Sequence, residues 1–400
     1  MSYNSHGTSV VSTHRSLTGS WSSPASPGTR IIVNSTVVFG TRMVRVTVSA
    51  TLGWDAPAEH TTPKAPNAMH FKQIAAILSL GLLLVFVPSC APTRAARNAA
   101  PGEAQPTLTR HEYARVLMGS KCRIVVYAPS EPAAAAACAA AFDRVHRLEQ
   151  ALSDYDPNSE AARLTRLPPR EWHTVSPDLA QALAKSLDIA RKTDGAFDPA
   201  MGPLTKLWRK ARSDGALPPP ETIAEARTRS GYRHIELNSD AQRVRLAVVG
   251  MGLDFGGIGK GLAADEALAV LTHYALPIAL IDFGGDLRAG DPPPGTDAWS
   301  VEIRDGVAGA RTVRLANAAV ATSGDLERFI DIGGHRYSHI LDPRRGFGIE
   351  RRVAATVIAP EGWLADSLAS AACVLGPEGL PDLRARFPEA IIEVSTADTP

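Results

Sequence analysis

The segment "MGLDFGGIGKGLAADEA", residues 251–267, places five glycines around one aspartate and one lysine. It then continues in a helical pattern, because apolar residues recur at Ala264, Ala267, Leu268 and Leu271. Glycine lets the backbone approach a ligand closely, and the free amides at the start of a helix favour an anion. Taken alone, the segment is explained equally well as a tight structural turn or as a binding site.

The glycine loop matches neither of the common phosphate-binding motifs. A P-loop requires Gly-x-x-x-x-Gly-Lys-Ser/Thr, whereas here Gly261 follows Lys260 and the first required position is Asp254. The dinucleotide fingerprint requires two residues between its last glycines, whereas only one separates Gly259 from Gly261. What remains is a hydrogen-bond acceptor at Asp254, a charge at Lys260 and a backbone carbonyl at Gly257 that can bind a hard cation.

The surrounding segments predict a mixture of strands and helices. Runs rich in β-branched residues predict strands, and apolar residues spaced three and four apart predict helices. Strands are predicted at 121–129, 278–283 and 353–359, a hairpin at 234–250, and helices around 141–152, from Pro177 after a capping Ser176, and over about 364–374. Regular β-α-β spacing is lacking, so the sequence favours an α+β fold over a doubly wound sheet.

The overall composition excludes several classes of protein. The 400 residues carry 42 basic and 41 acidic side chains, a formal net charge of +1, without the basic excess of most nucleic-acid-binding proteins. Hydrophobic residues make up 44%, enough for a sizeable core. Cys122, Cys138 and Cys373 are spaced too widely for a disulfide framework or a metal knuckle. We expect no nucleic-acid partner, and three structural cysteines in apolar surroundings.

Residues 69–90 have the features of a bacterial lipoprotein signal. Lys72 follows Met69, an apolar run extends from 74 to 87, and small residues precede Cys90. This run is too short for a membrane span of about 20 residues but suits a secretory signal; a buried core helix is the alternative. We expect translation to start at Met69 and Cys90 to carry the lipid. The expected organisation is an upstream extension at 1–68, a signal peptide at 69–89, a flexible tether at 90–107 and a folded domain at 108–396.

A second candidate site residue is His339, in "TSGDLERFIDIGGHRYSHILDPRRGFG" at 322–348. It follows an extended run and precedes the turn signal Asp342-Pro343, which predicts a position at a strand end rather than within a helix. Histidine can act as a general acid or base near neutral pH. A hydrogen-bonded structural histidine is the alternative.

The segment "EGWLADSLASAACVLG", residues 361–376, suggests a cation site. Asp366 and Ser370 lie four residues apart on a predicted helix and therefore share one face. Their carboxylate and hydroxyl oxygens suit a hard cation such as Mg²⁺. Alternatively, Asp366 is an early-turn carboxylate favoured by the helix dipole.

Two aromatic residues lie beside acidic ones. Tyr155 occurs in "ALSDYDPNSEAARL" at 151–164, and Phe197 occurs in "GAFDPAMGPLTKLW" at 195–208. Planar rings of this kind can stack on a planar ligand, although core packing is their commoner use.

Several of these segments together resemble one family, the FAD:protein FMN transferases or ApbE lipoproteins. In chain order they are "ALSDYDPNSE", "GAFDPAMGPLTKLW", "LDFGGIGKGLAADEA" with "FGGDLRAG", and "SGDLERF", "HILDPRRG" and "ADSLASA". The resemblance covers about residues 108–396 and implies a T-fold-like α+β domain. It also implies that FAD and Mg²⁺ bind, that the FAD pyrophosphate is cleaved, and that FMN moves to a threonine or serine of an acceptor protein while AMP leaves.

The resemblance implies roles for individual residues as well. His339 would be the catalytic base. Gly257 would offer its carbonyl to Mg²⁺, with Asp366 and Ser370 as further oxygen ligands. The positions similar to FAD-contacting residues of the family are Met118, Tyr155, Ala196, Phe197, Asp198, Asp254, Lys260 and Leu341.

The chain departs from the family pattern at four positions. Ser370 stands where threonine is usual and keeps the hydroxyl. Arg345 replaces a usual threonine, which changes the charge at the edge of the site. Phe255 and Gly259 replace the usual leucine and alanine of the loop, and we expect little effect from either.

The resemblance and the lipoprotein signal together predict the partners. The acceptor would be a redox-complex subunit with an Asp-x-x-Thr-Gly-Ala-Thr-like segment, and self-modification is not expected because this chain has no such segment. The protein would be lipid-anchored on the periplasmic, extracytoplasmic face of a bacterial membrane, the inner membrane being favoured. Two alternatives stay open at this point, an Mg²⁺-dependent FAD pyrophosphatase that releases FMN and AMP, and a non-catalytic lipid-anchored flavin-binding protein.

Overall fold

The computed structural model describes residues 107–304, 309–324 and 329–397, together with two short strands nearer the N terminus. Those two strands, β1 (Ile31–Asn34) and β2 (Ser49–Leu52), pair antiparallel within the unit Met1–Ala99. The expected signal peptide and Cys90 lie outside the described residues. Everything below concerns the second unit, Ala100–Pro400.

A seven-stranded sheet forms the centre of the second unit. In sheet order its strands are β18 (Ile391–Ala397), β17 (Arg352–Ala359), β12 (Ala319–Gly324), β9 (Asp286–Ala289), β8 (Ala279–Phe283), β4 (Ser120–Ala128) and β3 (Thr109–Leu117). Every neighbouring pair in this sheet is antiparallel. The predicted α+β fold is confirmed, because a doubly wound sheet would require parallel neighbours.

Helices cover one face of this sheet. They are α1 (Glu131–Leu152), α2 (Glu160–Leu164), α3 (Pro177–Lys192), α4 (Gly202–Asp214), α5 (Pro220–Thr228), α6 (Gly259–His273) and α7 (Gly362–Arg386), with a 3₁₀ turn at Tyr232–His234. The predicted cap of α3 is confirmed, since the Ser176 hydroxyl accepts a hydrogen bond from the Leu179 amide at 3.2 Å. Capping of this kind satisfies an amide that has no partner within the helix.

The alternation of side chains along β4 divides the core into two layers. Ile124 and Val126 point into the main hydrophobic cluster beneath the helices, whereas Val125 belongs to a second cluster on the opposite face. A hairpin covers that opposite face and contributes Trp299 and Val301 to it. Because side chains alternate across a strand, one apolar run can serve both layers.

Short hairpins complete the fold. They are β5 (His173–Thr174) with β6 (Ile235–Asn238) and β7 (Arg243–Leu246), β10 (Trp299–Arg304) with β11 (Ala310–Leu315), β13 (Phe329–Ile332) with β14 (His335–Ser338), and β15 (Leu341–Asp342) with β16 (Phe347–Gly348). The hairpin predicted within 234–250 is confirmed as β6 and β7. A third hydrophobic cluster, around Trp208 and Tyr337, packs β14 and β15 against α4.

The predicted extent of the last helix was wrong. We expected it over about 364–374, but α7 extends from Gly362 to Arg386, with Gly376 in a non-helical conformation at φ 69° inside it. Glycine tolerates this positive φ, and Pro377 suits the first turn of the helical segment that follows. The Gly-Pro pair therefore kinks the chain here and does not end the helix. No helix in the part of the chain that the structure describes is long and apolar enough to cross a membrane.

Candidate active site

The glycine loop leads into α6 at the point where α6 meets the start of α7. The first turns of the two helices touch at Gly261 and Gly362, and a side-chain carbon on Gly261 would collide with the carbonyl group of Gly362. Only glycine at both positions permits this approach. Neither helix has a side-chain cap from its own N-cap residue, so the amide-rich ends of two helices lie side by side.

A carboxylate from α6 fixes the start of α7. The two oxygens of Asp265 accept hydrogen bonds from the amides of Gly362 at 2.8 Å and Trp363 at 2.9 Å, and Oδ1 also accepts one from Arg288 Nε at 2.8 Å. Burial raises the pKa of Asp265, while the two amides and Arg288 oppose that shift. The first turn of α7 is therefore held in one position relative to α6.

The residues predicted to bind a cation lie together just beyond this contact. Asp366 is buried, with 2% of its surface exposed, and its Oδ2 accepts a hydrogen bond from the Gly261 amide at 3.0 Å. Ser370 lies one turn further along α7, and a side-chain carbon on Gly257 would come within 2.9 Å of its Oγ. The Ser370 hydroxyl is also 3.4 Å from the hydroxyl of Ser323 on β12. We call Gly257, Asp366 and Ser370 the oxygen cluster.

The oxygen cluster fits a hard divalent cation. Its donors are a carboxylate, a hydroxyl and a backbone carbonyl, and the glycine leaves open the space that a side chain would fill. Within the described residues no group of three or more histidine, cysteine, aspartate or glutamate side chains could hold a metal. Such a sparse set resembles the way Mg²⁺ is usually held, with one or two carboxylates, water and the phosphates of a substrate.

One side of the cluster is formed by the segment around Phe197. Cε2 of Phe197 would lie 3.3 Å from a side-chain carbon on Gly257, and Ala196 is buried beside it. The buried carboxylate of Asp198 accepts hydrogen bonds from the amides of Ala200 at 2.7 Å and Tyr232 at 2.8 Å. Burial raises the pKa of Asp198 to about 6, although these two amides favour its charged form. Asp198 therefore supports the loop through backbone contacts.

Tyr155 and Asp254 are joined by an arginine that we did not predict. The Arg209 guanidinium lies 3.9 Å above the centre of the Tyr155 ring, although 77% of Tyr155 is exposed. Its Nη1 is 2.6 Å from Oδ2 of Asp154, and its Nη2 is 3.9 Å from Oδ2 of Asp254. Burial and the nearby charge of Asp254 raise the pKa of Asp154, and Arg209 opposes that shift. Asp254 also bonds the Gly256 amide at 2.8 Å, which closes the turn of the glycine loop.

The remaining candidate positions on the glycine side lie close to the start of α6. Met118 adopts a positive φ of 51°, and its Cε would be 3.4 Å from a side-chain carbon on Gly259. Lys260 forms an ion pair with the buried Asp286, which directly follows two glycines at the end of β8. The ammonium group of Lys260 is thereby held beside the first turn of the helix.

His339 and Leu341 belong to the neighbouring hairpins. His339 is exposed and directly follows β14, so the predicted position at the end of a strand is confirmed. The Ser338 hydroxyl accepts a hydrogen bond from the Ile340 amide at 3.0 Å and so closes a turn around His339. Leu341 is buried in the third hydrophobic cluster with Trp208, which makes it a core residue that supports this turn.

Sequence reasoning missed several residues of this region. Asp286 and Ser323 lie within segments that we singled out, so a search for polar residues beside the glycine and serine motifs would have found them. Arg209 and Asp265 gave no such signal. Each lies in an ordinary helical pattern, and its partners are distant in the sequence. The three cysteines are buried and free, as expected, and burial raises the pKa of Cys122 and of Cys138 to about 12.

These features define an α+β protein whose glycine loop and paired helix starts surround a site for an anionic ligand beside oxygen donors. The description "ApbE family" applies to the family model that matches residues 118–392. The chain belongs to the ApbE family, as the sequence resemblance had indicated.

Relatives and solved structures agree with this assignment. A protein of Treponema pallidum named FAD:protein FMN transferase is 36% identical over 299 residues, which cover 69% of this chain and 82% of the relative. A Rhodobacter capsulatus protein of the same name is also 36% identical, over 53% of this chain and 41% of the relative. The apo flavinyl transferase ApbE of Pseudomonas stutzeri superposes with a TM-score of 0.64 at 27% identity, over 73% of this chain and 95% of its own. The ApbE protein of Thermotoga maritima gives 0.65 at 30% identity, over 72% and 94%.

Proposed function

We propose that this protein transfers FMN from FAD to a threonine or serine hydroxyl of an acceptor protein and releases AMP. The observation that carries the proposal is the meeting of two helix starts at Gly261 and Gly362 beside the oxygen cluster. Helix N-termini stabilise a bound anion, and a pyrophosphate is the anion that the proposed substrate brings. The names of the relatives support the same reaction.

The reaction exchanges one phosphoester linkage for another. The acceptor hydroxyl attacks the phosphorus atom on the FMN side of the pyrophosphate, the bond from that phosphorus to the bridging oxygen breaks, and AMP leaves. His339 would take the proton from the hydroxyl as it attacks, because a neutral hydroxyl is a poor nucleophile. The exposure of His339 suits this role, since the hydroxyl arrives on another protein.

The chain's own residues would hold the reacting groups. Gly257, Asp366 and Ser370 would bind Mg²⁺, which when bound neutralises negative charge that develops on the phosphates. Lys260 lies in the first turn of α6, where its ion pair with Asp286 keeps its ammonium group in place near that helix start. The exposed ring of Tyr155 offers one face to a planar part of FAD, since Arg209 covers the other.

We further propose that Cys90 carries a lipid that anchors the domain on the extracytoplasmic side of a bacterial membrane, the inner membrane being favoured. The apolar run at 74–87 and the small residues before Cys90 support this. The acceptor would then be a redox-complex subunit with an Asp-x-x-Thr-Gly-Ala-Thr-like segment facing the same compartment. Mass spectrometry of the native N-terminal peptide tests the anchor, and an unmodified peptide that spans Cys90 would contradict it.

The central test is a transfer assay with the purified full-length protein in detergent. It is incubated with FAD, Mg²⁺ and an acceptor domain that contains the threonine segment, and flavin fluorescence is read on the denatured acceptor. We expect a covalent fluorescent band and release of AMP. Free FMN and AMP without a band would favour the pyrophosphatase, and unchanged FAD would favour a binding protein.

A His339→Ala variant assigns the proton transfer. We expect it to bind FAD as the wild type does and to lose at least about a hundredfold in transfer rate, the usual contribution of a general base. Full transfer activity in this variant would remove His339 from the mechanism.

A further inference from the structure

A cleft of about 280 Å³ lies beside His339. Its lining comes from residues 342–351, which include the turn between β15 and β16, and from Val374 and Leu375 of α7. The same helix carries Ser370 of the oxygen cluster one turn earlier. The cleft is therefore bounded by the two elements that carry the proposed catalytic base and the proposed cation ligands.

Backbone hydrogen bonds place the cleft directly opposite His339. The Ser338 amide donates to the Ile349 carbonyl at 2.8 Å, and the Ile349 amide donates to the Ile340 carbonyl at 3.0 Å. Ile349, which lines the cleft, thus pairs with the residues on both sides of His339. A polypeptide that presents a hydroxyl to His339 must pass along this surface on one side of that hydroxyl.

Two of the arginines that line the cleft are already committed. Arg344 forms a two-pronged ion pair with Asp342, with Nε–Oδ1 at 2.9 Å and Nη2–Oδ2 at 3.0 Å. This contact raises the pKa of Arg344. Arg351 directs Nη2 at the carbonyl oxygens of Cys373 and Val374, at 3.1 and 2.8 Å, where α7 kinks. Neither guanidinium is free for a partner protein.

Arg345 differs from both. Its side chain is exposed and has no hydrogen bond or ion pair with any residue that the structure describes. The other uncommitted charge of the lining is Glu350, which is exposed as well. The cleft therefore presents one free cation and one free anion next to the proposed catalytic base.

We propose that this cleft binds the acceptor segment next to the modified hydroxyl, and that Arg345 pairs with an acidic side chain of that segment. The inference rests on the proposed function. A guanidinium suits a carboxylate because its planar donors can engage both oxygens. Glu350 repels a second acid, which favours one placement of the acidic residue over the others. Arg345 is thus a specificity-determining residue for the acceptor and takes no part in FAD cleavage.

The test measures transfer with the full-length protein, the acceptor domain described above and two acceptor variants, in which the aspartate of its threonine segment is replaced by asparagine or by lysine. For Arg345→Gln we expect the KM for the acceptor to rise about fivefold, the upper range for an exposed ion pair, with kcat unchanged. Arg345→Lys should retain much of the wild-type affinity. Glu350→Gln should leave the KM unchanged or lower it, the opposite sign within the same cleft.

Charge reversal gives the decisive arm. Arg345→Glu should weaken the aspartate acceptor more than Arg345→Gln does, and it should recover activity with the lysine acceptor. An Arg304→Gln variant is the matched control, because Arg304 is an exposed arginine on β10. FAD binding should be the same in all variants.

The outcomes separate the two proposals. A wild type that forms no covalent flavin product overturns the proposed function and this inference together. Wild-type transfer with an unchanged acceptor KM in both Arg345→Gln and Arg345→Glu overturns the inference alone. Equal losses for the aspartate and asparagine acceptors also overturn it, because a true ion pair must couple the two substitutions.

Discussion

The carboxylate of Asp366 accepts a hydrogen bond from the backbone amide of Gly261 at 3.0 Å, across 105 residues of sequence. Asp366 belongs to the first turn of α7, and Gly261 belongs to the first turn of α6. One buried carboxylate therefore satisfies an amide at the start of the other helix while it faces the oxygen cluster. The structural role and the proposed role in cation binding can be separated by substitution.

Asp366→Asn should retain the structural role and lose the metal role. An amide oxygen can still accept from Gly261, so we expect the free energy of unfolding to change by less than about 1 kcal/mol. Transfer should fall at least about tenfold, because a neutral amide is a poorer ligand for Mg²⁺. Asp366→Ala should in addition destabilise the fold by about 1–3 kcal/mol, since the buried amide loses its acceptor. Chemical denaturation and an Mg²⁺ titration of FAD turnover measure both effects. An Mg²⁺ dependence in Asp366→Asn equal to that of the wild type would show that the carboxylate only caps the helix.

Gly261→Ala should destabilise the protein strongly. The added methyl group collides with the backbone of Gly362, which cannot move because Asp265 holds it. We expect a loss of about 3 kcal/mol or more and a fall in Tm of about 5–10 °C. Gly259→Ala is the matched control, since its methyl group would meet only Met118 Cε at 3.4 Å, an ordinary contact. A Tm for Gly261→Ala within 2 °C of that control would mean that the helices can separate without cost.

Arg209→Gln should weaken FAD binding about tenfold and make it depend on pH. The ring of Tyr155 loses its support, and Asp154 loses the cation that opposes the rise in its pKa. With this pKa raised further, Asp154 of the variant becomes neutral as the pH falls, so repulsion of the FAD phosphates decreases and affinity should improve toward low pH.

Fluorescence titrations of FAD at pH 6 and pH 8 measure the Arg209 effect. Arg209→Lys should restore most of the pH behaviour but less of the affinity, because an ammonium group does not stack on a ring as a guanidinium does. Lys210→Gln on the exposed face of the same helix is the control. Equal affinities at both pH values in Arg209→Gln would contradict the electrostatic part of the argument.

Asp198→Asn should remove a pH dependence of stability between about pH 4 and pH 6. Burial raises the pKa of Asp198 to about 6 from the ordinary 3.8, so within this window the folded state binds more protons than the unfolded state. Stability contributed by this group is therefore present at low pH and decreases as the pH rises toward 6, on the order of 2 kcal/mol.

Urea unfolding at pH 4.5, 5.5 and 7 measures the Asp198 effect. The difference in unfolding free energy between wild type and Asp198→Asn should shift toward the variant as the pH rises. Asp382→Asn, which removes an exposed carboxylate of α7, controls for net charge. Parallel curves for wild type and Asp198→Asn would show that the two amide contacts keep the carboxylate ionised throughout.

Most of the local structure could be predicted because it depends on neighbouring residues. The hairpin of β6 and β7, the Ser176 cap and the strand-end position of His339 all follow from turn residues and periodicity within about ten positions. The boundary of α7 could not, because Gly376 and Pro377 are equally compatible with an end and with a kink. Packing against the rest of the domain favours the kink, since Arg351 binds the carbonyl oxygens exposed there.

The sequence by itself determined the family, the glycine loop and the polar residues around which a site is built. Only the tertiary structure decided how they are held. Asp265 caps a helix almost a hundred residues away, and Arg209 bridges Tyr155 and Asp254. A charged residue on an amphipathic helix has the same pattern whether it faces water or a distant partner, because periodicity records which face is polar and not what that face contacts.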